Sequence, residues 1–284
     1  MFEYPYIYIY SDEKSIKKQS IYFFLLILEY GTLIITAINS FFDYKGKYVT
    51  SMIFFIFLMV LLLIKTKYSS SSAWYKFRAL AESIKTTSWR YTMKGSPFNG
   101  ENDLEDFKKY KEFLESILIN SNYISKKVSK TVLSKENITN SMRSVRNSNW
   151  EDRKNFYLTH RIENQWNWYR SKSTYNSKMA KKWWTIVLSV YLIAFLASIY
   201  NIFYFTQFTF PVSILTTVAS SLLGWSQIKR YNELSSSYLL TASEISLIKE
   251  QIHYIKSESE FSDFVNEAEL AFSREHTQWE ARRK

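Results

Sequence analysis

The sequence contains no cysteine and very little glycine or proline. With no thiol among 284 residues, disulfide bonds and thiolate metal sites are excluded, and the chain is compatible with a reducing cytoplasm. Only 5 glycines and 3 prolines leave few residues for tight turns, which favours long helices over turn-rich β-structure. We therefore predict an all-α protein.

The usual sequence motifs of catalysis and metal binding are also missing. There is no glycine-rich phosphate loop, no nucleophile elbow and no paired-carboxylate arrangement, so we expect neither enzyme activity nor a cofactor. His160, His253 and His276 are far apart in the sequence and lack the spacing of metal ligands, so we expect no metal site. These absences leave membrane and binding roles to be weighed.

Apolar residues are concentrated in four runs that form two pairs. The runs are 21–41, 48–64, 183–206 and 208–226. A helix rises about 1.5 Å per residue, so the longer runs reach roughly 30 Å, the thickness of a bilayer's hydrocarbon core. We predict an all-α membrane protein with two transmembrane helical hairpins (four spans) and long helices forming a cytoplasmic bundle. Mixed charges before the first run, without a small-residue cleavage site, predict that its helix is retained rather than removed as a signal peptide.

The net charge of +11 is unevenly distributed along the chain. Residues 65–182 hold 24 lysines and arginines against 11 acidic residues, whereas residues 227–284 hold 8 against 10. The links within the hairpins carry little positive charge, so the positive-inside rule places the termini and the central region in the cytoplasm. Basic residues beside the runs are more typical of topology signals and anionic-lipid contacts than of a nucleic-acid site, so no nucleic-acid partner is expected. They are Lys65, Lys67, Lys178, Lys181 and Lys182.

One face of the first apolar run is polar. Glu29, Thr32, Thr36 and Asn39 follow one another at helical spacing. In one interpretation this stripe lines a water-filled path, with Glu29 giving cation preference or sensing protons. In the other, the stripe packs against a neighbouring helix, or Glu29 lies close enough to the interface to reach water. The residues alone favour neither interpretation.

Small side chains follow one face of the fourth run. They are Ser213, Thr217, Ser220 and Gly224, again at helical spacing. Small residues at this spacing let helices approach closely, so the stripe predicts helix packing in preference to pore lining. The two hairpins could still supply facing polar stripes.

Outside the runs, helical spacing predicts amphipathic helices. One follows the first hairpin and has an apolar face made of Phe77, Leu80, Ala81, Ile84 and Ser88. The next is capped by Asn102 or Asp103, and its face is predicted as Leu104, Phe107, Lys111, Leu114 and Leu118. Residues 150–182 contain no glycine or proline, so they should form one long helix that enters the third run.

The chain repeats one plan: a lead segment, an apolar hairpin and an amphipathic helix. A stretch rich in serine, asparagine and lysine, residues 121–148, separates the two copies. We therefore predict two domains, 1–148 and 149–284, each containing one hairpin. Internal duplication of this kind indicates organisation more strongly than any single motif does.

Two sets of residues around the hairpins resemble a known family. The first set is Tyr4-Pro5, 78–85 (Arg-Ala-Leu-Ala-Glu-Ser-Ile-Lys) and 89–93 (Trp-Arg-Tyr-Thr-Met). The second is 161–172 (Arg-Ile-Glu-Asn-Gln-Trp-Asn-Trp-Tyr-Arg-Ser-Lys), 241–244 (Thr-Ala-Ser-Glu) and 274–279 (Arg-Glu-His-Thr-Gln-Trp). In this order they resemble tandem SLATT domains, bacterial two-helix membrane effector domains close to the family called DUF4231. The family-pattern residues, which carry no catalytic role, are Glu82, Trp89, Arg90, Glu244, Glu275 and Trp279.

The resemblance implies a membrane effector in bacterial conflict or antiviral defence. SLATT domains are associated with nucleotide second-messenger synthases and nucleotide-sensing SLOG domains, and are proposed to perturb or permeabilise the membrane when a signal arrives. The implied protein is an oligomeric pore or membrane-perturbing effector in the bacterial inner membrane. Its implied partners are the lipid bilayer, further copies of the chain in a homo-oligomer, and a nucleotide second messenger or sensor protein. The alternative is a non-conducting membrane scaffold whose cytoplasmic helical bundle recruits a soluble partner.

Two of the family-pattern carboxylates have a physical interpretation as well. Glu82 and Glu244 each lie on the helix that leaves a hairpin. We predict that they pair with basic residues of neighbouring helices, for example Arg90 or Arg161, in an ion-paired helical stalk.

Overall fold

All regular structure in the described residues is helical, which confirms the all-α prediction. The structure, a computed structural model, describes residues 2–68, 70–120, 136–204 and 209–281. The α-helices are α1 (Tyr6–Phe41), α2 (Lys47–Tyr68), α3 (Ser70–Thr92), α4 (Asp103–Asn120), α5 (Asn140–Arg146), α6 (Trp150–Tyr157), α7 (Glu163–Phe203), α8 (Val212–Lys229), α9 (Tyr231–Gln251) and α10 (Glu258–Ala281). A π-helical turn (Leu158–Ile162) joins α6 to α7, and a 3-10 turn (Ile252–Tyr254) follows α9.

Three helices in the described ranges are long and apolar enough to cross a membrane. They are Tyr6–Phe41, α2 and Trp150–Phe203. The first two contain the first two predicted runs, and the last ends at Phe203, within the third run. Large apolar side chains on them are exposed, among them Phe24, Leu63 and Phe195. Surfaces of this kind and extent are suited to contact with lipid rather than water. The fourth run overlaps α8, a shorter helix of 18 residues that begins after Pro211.

The chain forms two compact units, and each takes segments from both predicted domains. Unit 1 comprises Met1–Gln19, Ser70–Trp168 and Thr241–Lys284. Unit 2 comprises Ser20–Ser69 and Tyr169–Leu240, and it therefore contains all four apolar runs. The boundary between the predicted domains, near residue 148, stays a prediction.

The core of unit 1 is built on α3, which packs against α10. The predicted face of α3 is confirmed, because Phe77, Leu80, Ala81, Ile84 and Ser88 are all buried. On α10 the buried side chains also recur at helical spacing: Phe261, Val265, Ala268 and Phe272. Full burial of a large apolar side chain stabilises a fold by about 1.5–3 kcal/mol, so this pair of stripes supplies much of the driving force for folding.

The predicted face of α4 is wrong at Leu104, Phe107 and Lys111, which are all exposed, and correct at Leu114 and Leu118. Leu104 and Phe107 are 60% and 40% exposed, whereas the buried residues are Asp106, Tyr110, Leu114 and Leu118. The helix is rotated because Tyr110 stacks on Tyr91, with ring centroids 4.6 Å apart. Asp106 accepts a hydrogen bond from Arg146 at 2.7 Å. These polar and aromatic contacts decide the orientation, and they are invisible to a count of apolar residues.

The helix predicted over residues 150–182 contains one irregular turn. The π-helical turn between α6 and α7 adds a residue to one turn of the helix. The wider turn allows Tyr157, Arg161 and Ile162 all to be buried in unit 1. The sequence lacks glycine and proline here and so gives no sign of the irregularity.

Candidate functional site

In unit 2, Glu29 is ion-paired within the first hairpin. Its Oε2 accepts a hydrogen bond from the ammonium group of Lys65, which lies in the last turn of α2. The two side chains are 28% and 23% exposed. A carboxylate in a membrane helix is costly unless it has a partner, and Lys65 supplies that partner inside the same hairpin. The packing interpretation requires contacts of this kind between neighbouring helices. The interpretation of the stripe as the lining of a water-filled path stays a prediction.

The other residues of the polar stripe also have partners within unit 2. Thr32 donates to the Leu28 carbonyl at 2.7 Å, and Thr36 donates to the Thr32 carbonyl at 2.8 Å. The amide of Asn39 donates to Ser51 Oγ at 2.9 Å, which links α1 to α2. Thr32, Thr36 and Asn39 therefore each have a hydrogen-bond partner within the protein.

The small-residue stripe of α8 is closely packed at one position. A Cβ added at Gly224 would lie 2.5 Å from Tyr30 Oη, so α1 and α8 approach closely here and a larger residue would displace the Tyr30 side chain. Ser213 and Ser220 are exposed, and Thr217 donates to the Ser213 carbonyl at 3.0 Å. The buried residues of α8 are Ala219 and Ser221. A packing role for the whole stripe stays a prediction.

In unit 1, Arg161 and Glu269 are both buried and form a bidentate ion pair. Arg161 Nε donates to Glu269 Oε1 at 2.7 Å, and Arg161 Nη2 donates to Glu269 Oε2 at 2.6 Å. Tyr157 also donates to Glu269 Oε1, at 2.9 Å. The three side chains are 2% exposed or less. Paired and bidentate groups of this kind tolerate burial, whereas either charge alone would not.

Trp89 lies beside this ion pair and is fully buried. Its Nε1 donates to the hydroxyl of Tyr4 at 3.0 Å, and the ring of Phe2 stacks on it at a centroid distance of 4.1 Å. The guanidinium of Arg161 lies 5.9 Å from the Trp89 ring centroid. Trp89 therefore joins the N-terminal segment to the ion pair in the centre of unit 1.

The family-pattern carboxylate Glu82 is buried and has local basic partners. It pairs with Arg78 at 2.7 Å and with Lys85 at 3.8 Å. We predicted that Arg90 or Arg161 would pair with Glu82 or Glu244, and neither arginine does so. Arg161 binds Glu269, and Arg90 donates to the Ser96 carbonyl at 2.9 Å. The reason is burial: Glu269 lies on the apolar face of α10, where only a paired carboxylate is tolerated.

The remaining family-pattern residues lie on α9 and α10. Glu244 is exposed on α9. Glu275 and Trp279 fall within α10, and their side chains lie outside the described part of the structure. The described residues include no group of three or more His, Cys, Asp and Glu side chains placed to hold a metal ion.

A second buried arginine, to which no sequence pattern points, anchors α5 to α4. Arg146 donates to Asp103 Oδ1 at 2.9 Å and to the Phe98 carbonyl at 3.1 Å, in addition to its bond with Asp106. Its guanidinium lies 4.5 Å from the ring centroid of Tyr91. The contacts leave this arginine 3% exposed and fully engaged, so we assign it a structural role.

Lys85 gives unit 1 a pH-dependent stability. The residue lies outside the apolar runs, and burial lowers its pKa to about 8, although Glu82 opposes this shift. The unfolded chain keeps the proton up to about pH 10.5, so the stability of the native protein rises relative to Lys85→Met between about pH 8 and 10.5. The difference between the pKa of Lys85 in the unfolded chain and in the native protein corresponds to a few kcal/mol of stability, at about 1.4 kcal/mol per pKa unit. Thermal unfolding of the detergent-solubilised chain at pH 7 and 10 measures it.

The control for this measurement is Lys108→Met, which removes an exposed lysine of α4. It should shift the melting temperature equally at both pH values. Parallel pH profiles for the native chain and Lys85→Met would contradict the lowered pKa.

The fold defines the general class of the protein. Where the structure describes the chain, its regular elements are all helical, and three long apolar helices expose apolar side chains, as in a helical membrane protein. The family model described as SMODS and SLOG-associating 2TM effector domain 3 matches residues 5–154, and the one described as SMODS and SLOG-associating 2TM effector domain 1 matches residues 157–279. The chain therefore belongs to the family of SMODS and SLOG-associating 2TM effector domains, with two such domains in tandem. No curated protein and no solved structure matches it.

Proposed function

We propose that the chain is a four-span effector of the bacterial inner membrane that assembles into a homo-oligomeric pore in conflict or antiviral defence. Family membership supports the effector role, since both halves match effector domains of the membrane. The observation that carries the pore proposal is the polar stripe around Glu29, which lies within the apolar run 21–41. The central region lies in the cytoplasm in this proposal because the excess of positive charge is concentrated there, and an even number of spans on either side places both termini in the cytoplasm as well.

The fourth span in this proposal is α8. Its 18 residues extend about 27 Å, slightly less than a typical hydrocarbon core. Trp225 and Lys229 close the helix, and residues of these types are favoured at the level of the lipid headgroups. The contact of Gly224 with Tyr30 supports a helix that packs beside α1 rather than one that stands alone in lipid.

The pore is closed when Glu29 binds Lys65. In one chain the residues of the stripe bind partners within the protein, so the stripe must rearrange before it can line a conduit. The conduit also requires several hairpins around a symmetry axis. An ion pair that is partly exposed contributes about 1 kcal/mol, which a bound signal can readily outweigh. The proposed signal is a nucleotide second messenger, received directly or through a sensor protein, in keeping with the SMODS and SLOG association in the family description.

Conductance of the full chain in planar bilayers tests the pore proposal. We expect conductance when the correct member of a panel of nucleotide messengers is added. Glu29→Gln should raise the conductance without a messenger by about fivefold, because about 1 kcal/mol of closed-state stabilisation is lost. Lys65→Gln should have a similar effect, and the double variant should add little to either, since both substitutions remove the same pair.

The matched control is Glu13→Gln, on an exposed residue of α1 before the apolar run. It should leave the conductance unchanged. Absence of conductance with every candidate nucleotide, together with no effect of Glu29→Gln, would contradict a pore.

A non-conducting scaffold is the second candidate. The internal hydrogen bonds of Thr32, Thr36 and Asn39 favour it, because residues that are bonded within the protein do not need a water-filled path. In this case the cytoplasmic helices recruit a soluble partner. Isolation of one partner in stoichiometric amounts, without growth arrest on overexpression, would support the scaffold over the pore.

A further inference from the structure

Basic residues lie beside three of the apolar runs in unit 2. In each case they are at the end of the run that adjoins a proposed cytoplasmic segment. Lys65 and Lys67 follow the second run, Lys181 and Lys182 precede the third, and Lys229 and Arg230 follow the fourth. Lys67, Lys181 and Lys182 are exposed. We call these six residues the basic band.

Aromatic contacts bring these helix ends to one level. The ring centroid of Trp225, at the end of the fourth run, lies 6.4 Å from that of Trp183, at the start of the third. The same ring lies 5.8 Å from Phe23, at the start of the first run. The ammonium group of Lys229 lies 3.3 Å from the Phe23 ring centroid. Three helices therefore meet at the same end, and each brings an aromatic residue there.

The second run joins this arrangement through the ion pair between Glu29 and Lys65. Glu29 is six residues after Phe23, about 9 Å along α1. The last turn of α2, which holds Lys65 and Lys67, therefore lies at the same end of the hairpin as the start of the first run.

The opposite ends of the helices carry little positive charge. Around the link 42–47 the charged residues are Asp43, Lys45 and Lys47, and Asp43 pairs with Lys47 at 3.0 Å. Between 203 and 212 the sequence has no charged residue. The positive charge of unit 2 is thus concentrated at one end, where Trp184 is also 67% exposed.

We propose that the basic band is a binding surface for the headgroups of anionic phospholipids. Lysine and arginine bind phosphate, and tryptophan favours the headgroup level because its ring is apolar and its N–H is polar. Glu29 already engages Lys65, and Arg230 pairs with Glu233. The exposed lysines Lys67, Lys181 and Lys182 therefore supply most of the attraction. Each contributes about a fivefold preference for an anionic over a zwitterionic lipid.

Native mass spectrometry of the detergent-purified full chain tests this surface. The chain is offered equal amounts of phosphatidylglycerol and phosphatidylcholine with the same acyl chains, and the bound lipids are counted. We expect a clear preference for phosphatidylglycerol. In the triple variant Lys67→Gln/Lys181→Gln/Lys182→Gln, the ratio of bound phosphatidylglycerol to bound phosphatidylcholine should fall at least tenfold. The triple Lys→Arg variant at the same positions should keep the native ratio.

Two controls separate loss of the headgroup surface from loss of the fold or of positive charge in general. Lys45→Gln, at the opposite end of the hairpin, should leave the preference unchanged, and circular dichroism should show the triple variants to be folded. Equal binding of the two lipids by the native chain would overturn the proposal. So would displacement of phosphatidylglycerol by inorganic phosphate at equal concentration, which would indicate a site for free anions. Lipid preference does not require conduction, so a negative result in the bilayer recordings would leave this proposal standing.

Discussion

Arg161→Met is expected to destabilise unit 1 by about 3–5 kcal/mol, the usual cost of removing one partner of a buried ion pair. Glu269 is fully buried and would lose the guanidinium that now binds both of its oxygens. Tyr157 would remain as a hydrogen-bond donor, but one hydroxyl cannot replace a cation. Chemical unfolding of the detergent-solubilised chain, followed by circular dichroism, measures the loss.

A double variant distinguishes the ion pair from simple packing. Arg161→Met/Glu269→Leu removes both charges and leaves no unpaired buried charge. It should therefore be more stable than Arg161→Met alone, even though it contains an additional substitution. Equal or greater destabilisation of the double variant would contradict the view that the lost charge balance causes the effect.

Trp89→Ala should cost a similar amount, about 3–5 kcal/mol, for a different reason. The substitution leaves a cavity where an indole is now fully buried, removes the stacking partner of Phe2 and leaves the Tyr4 hydroxyl without its donor. Trp89→Phe keeps much of the packing and should lose less. The same unfolding measurement applies.

The control for Trp89→Ala is Trp184→Ala, which removes a tryptophan that is 67% exposed in unit 2. In detergent it should change stability by less than about 1 kcal/mol. If Trp89→Ala lowered the free energy of unfolding by as little, Trp89 would not be a main stabilising residue of unit 1.

Local patterns in the sequence are sufficient to predict the class of fold. The apolar runs and the scarcity of glycine and proline predict long helices, and the spacing of residues such as Phe77 and Ile84 predicts the buried face of α3. These features depend on neighbours within one helix. The periodicity of a single segment therefore contains the information.

Contacts between distant segments cannot be predicted in this way. The position of Lys65 beside an apolar run indicates a topology signal, yet its side chain pairs with Glu29, 36 residues earlier. On α4, the bond from Arg146 to Asp106 turns a polar residue inward, which apolar periodicity cannot anticipate. Glu269 does offer a usable sign, because it lies among Val265, Ala268 and Phe272 on the apolar face of α10.

The membrane potential of cells that produce the full chain tests the central claim most directly. A potential-sensitive dye would be followed after the defence signal is supplied, in cells shown by fractionation to hold the chain in the inner membrane. An effector pore predicts collapse of the potential within the period in which growth stops, and Glu29→Gln should cause partial collapse without the signal. An intact potential in cells that contain both the membrane-inserted chain and its signal would contradict the account.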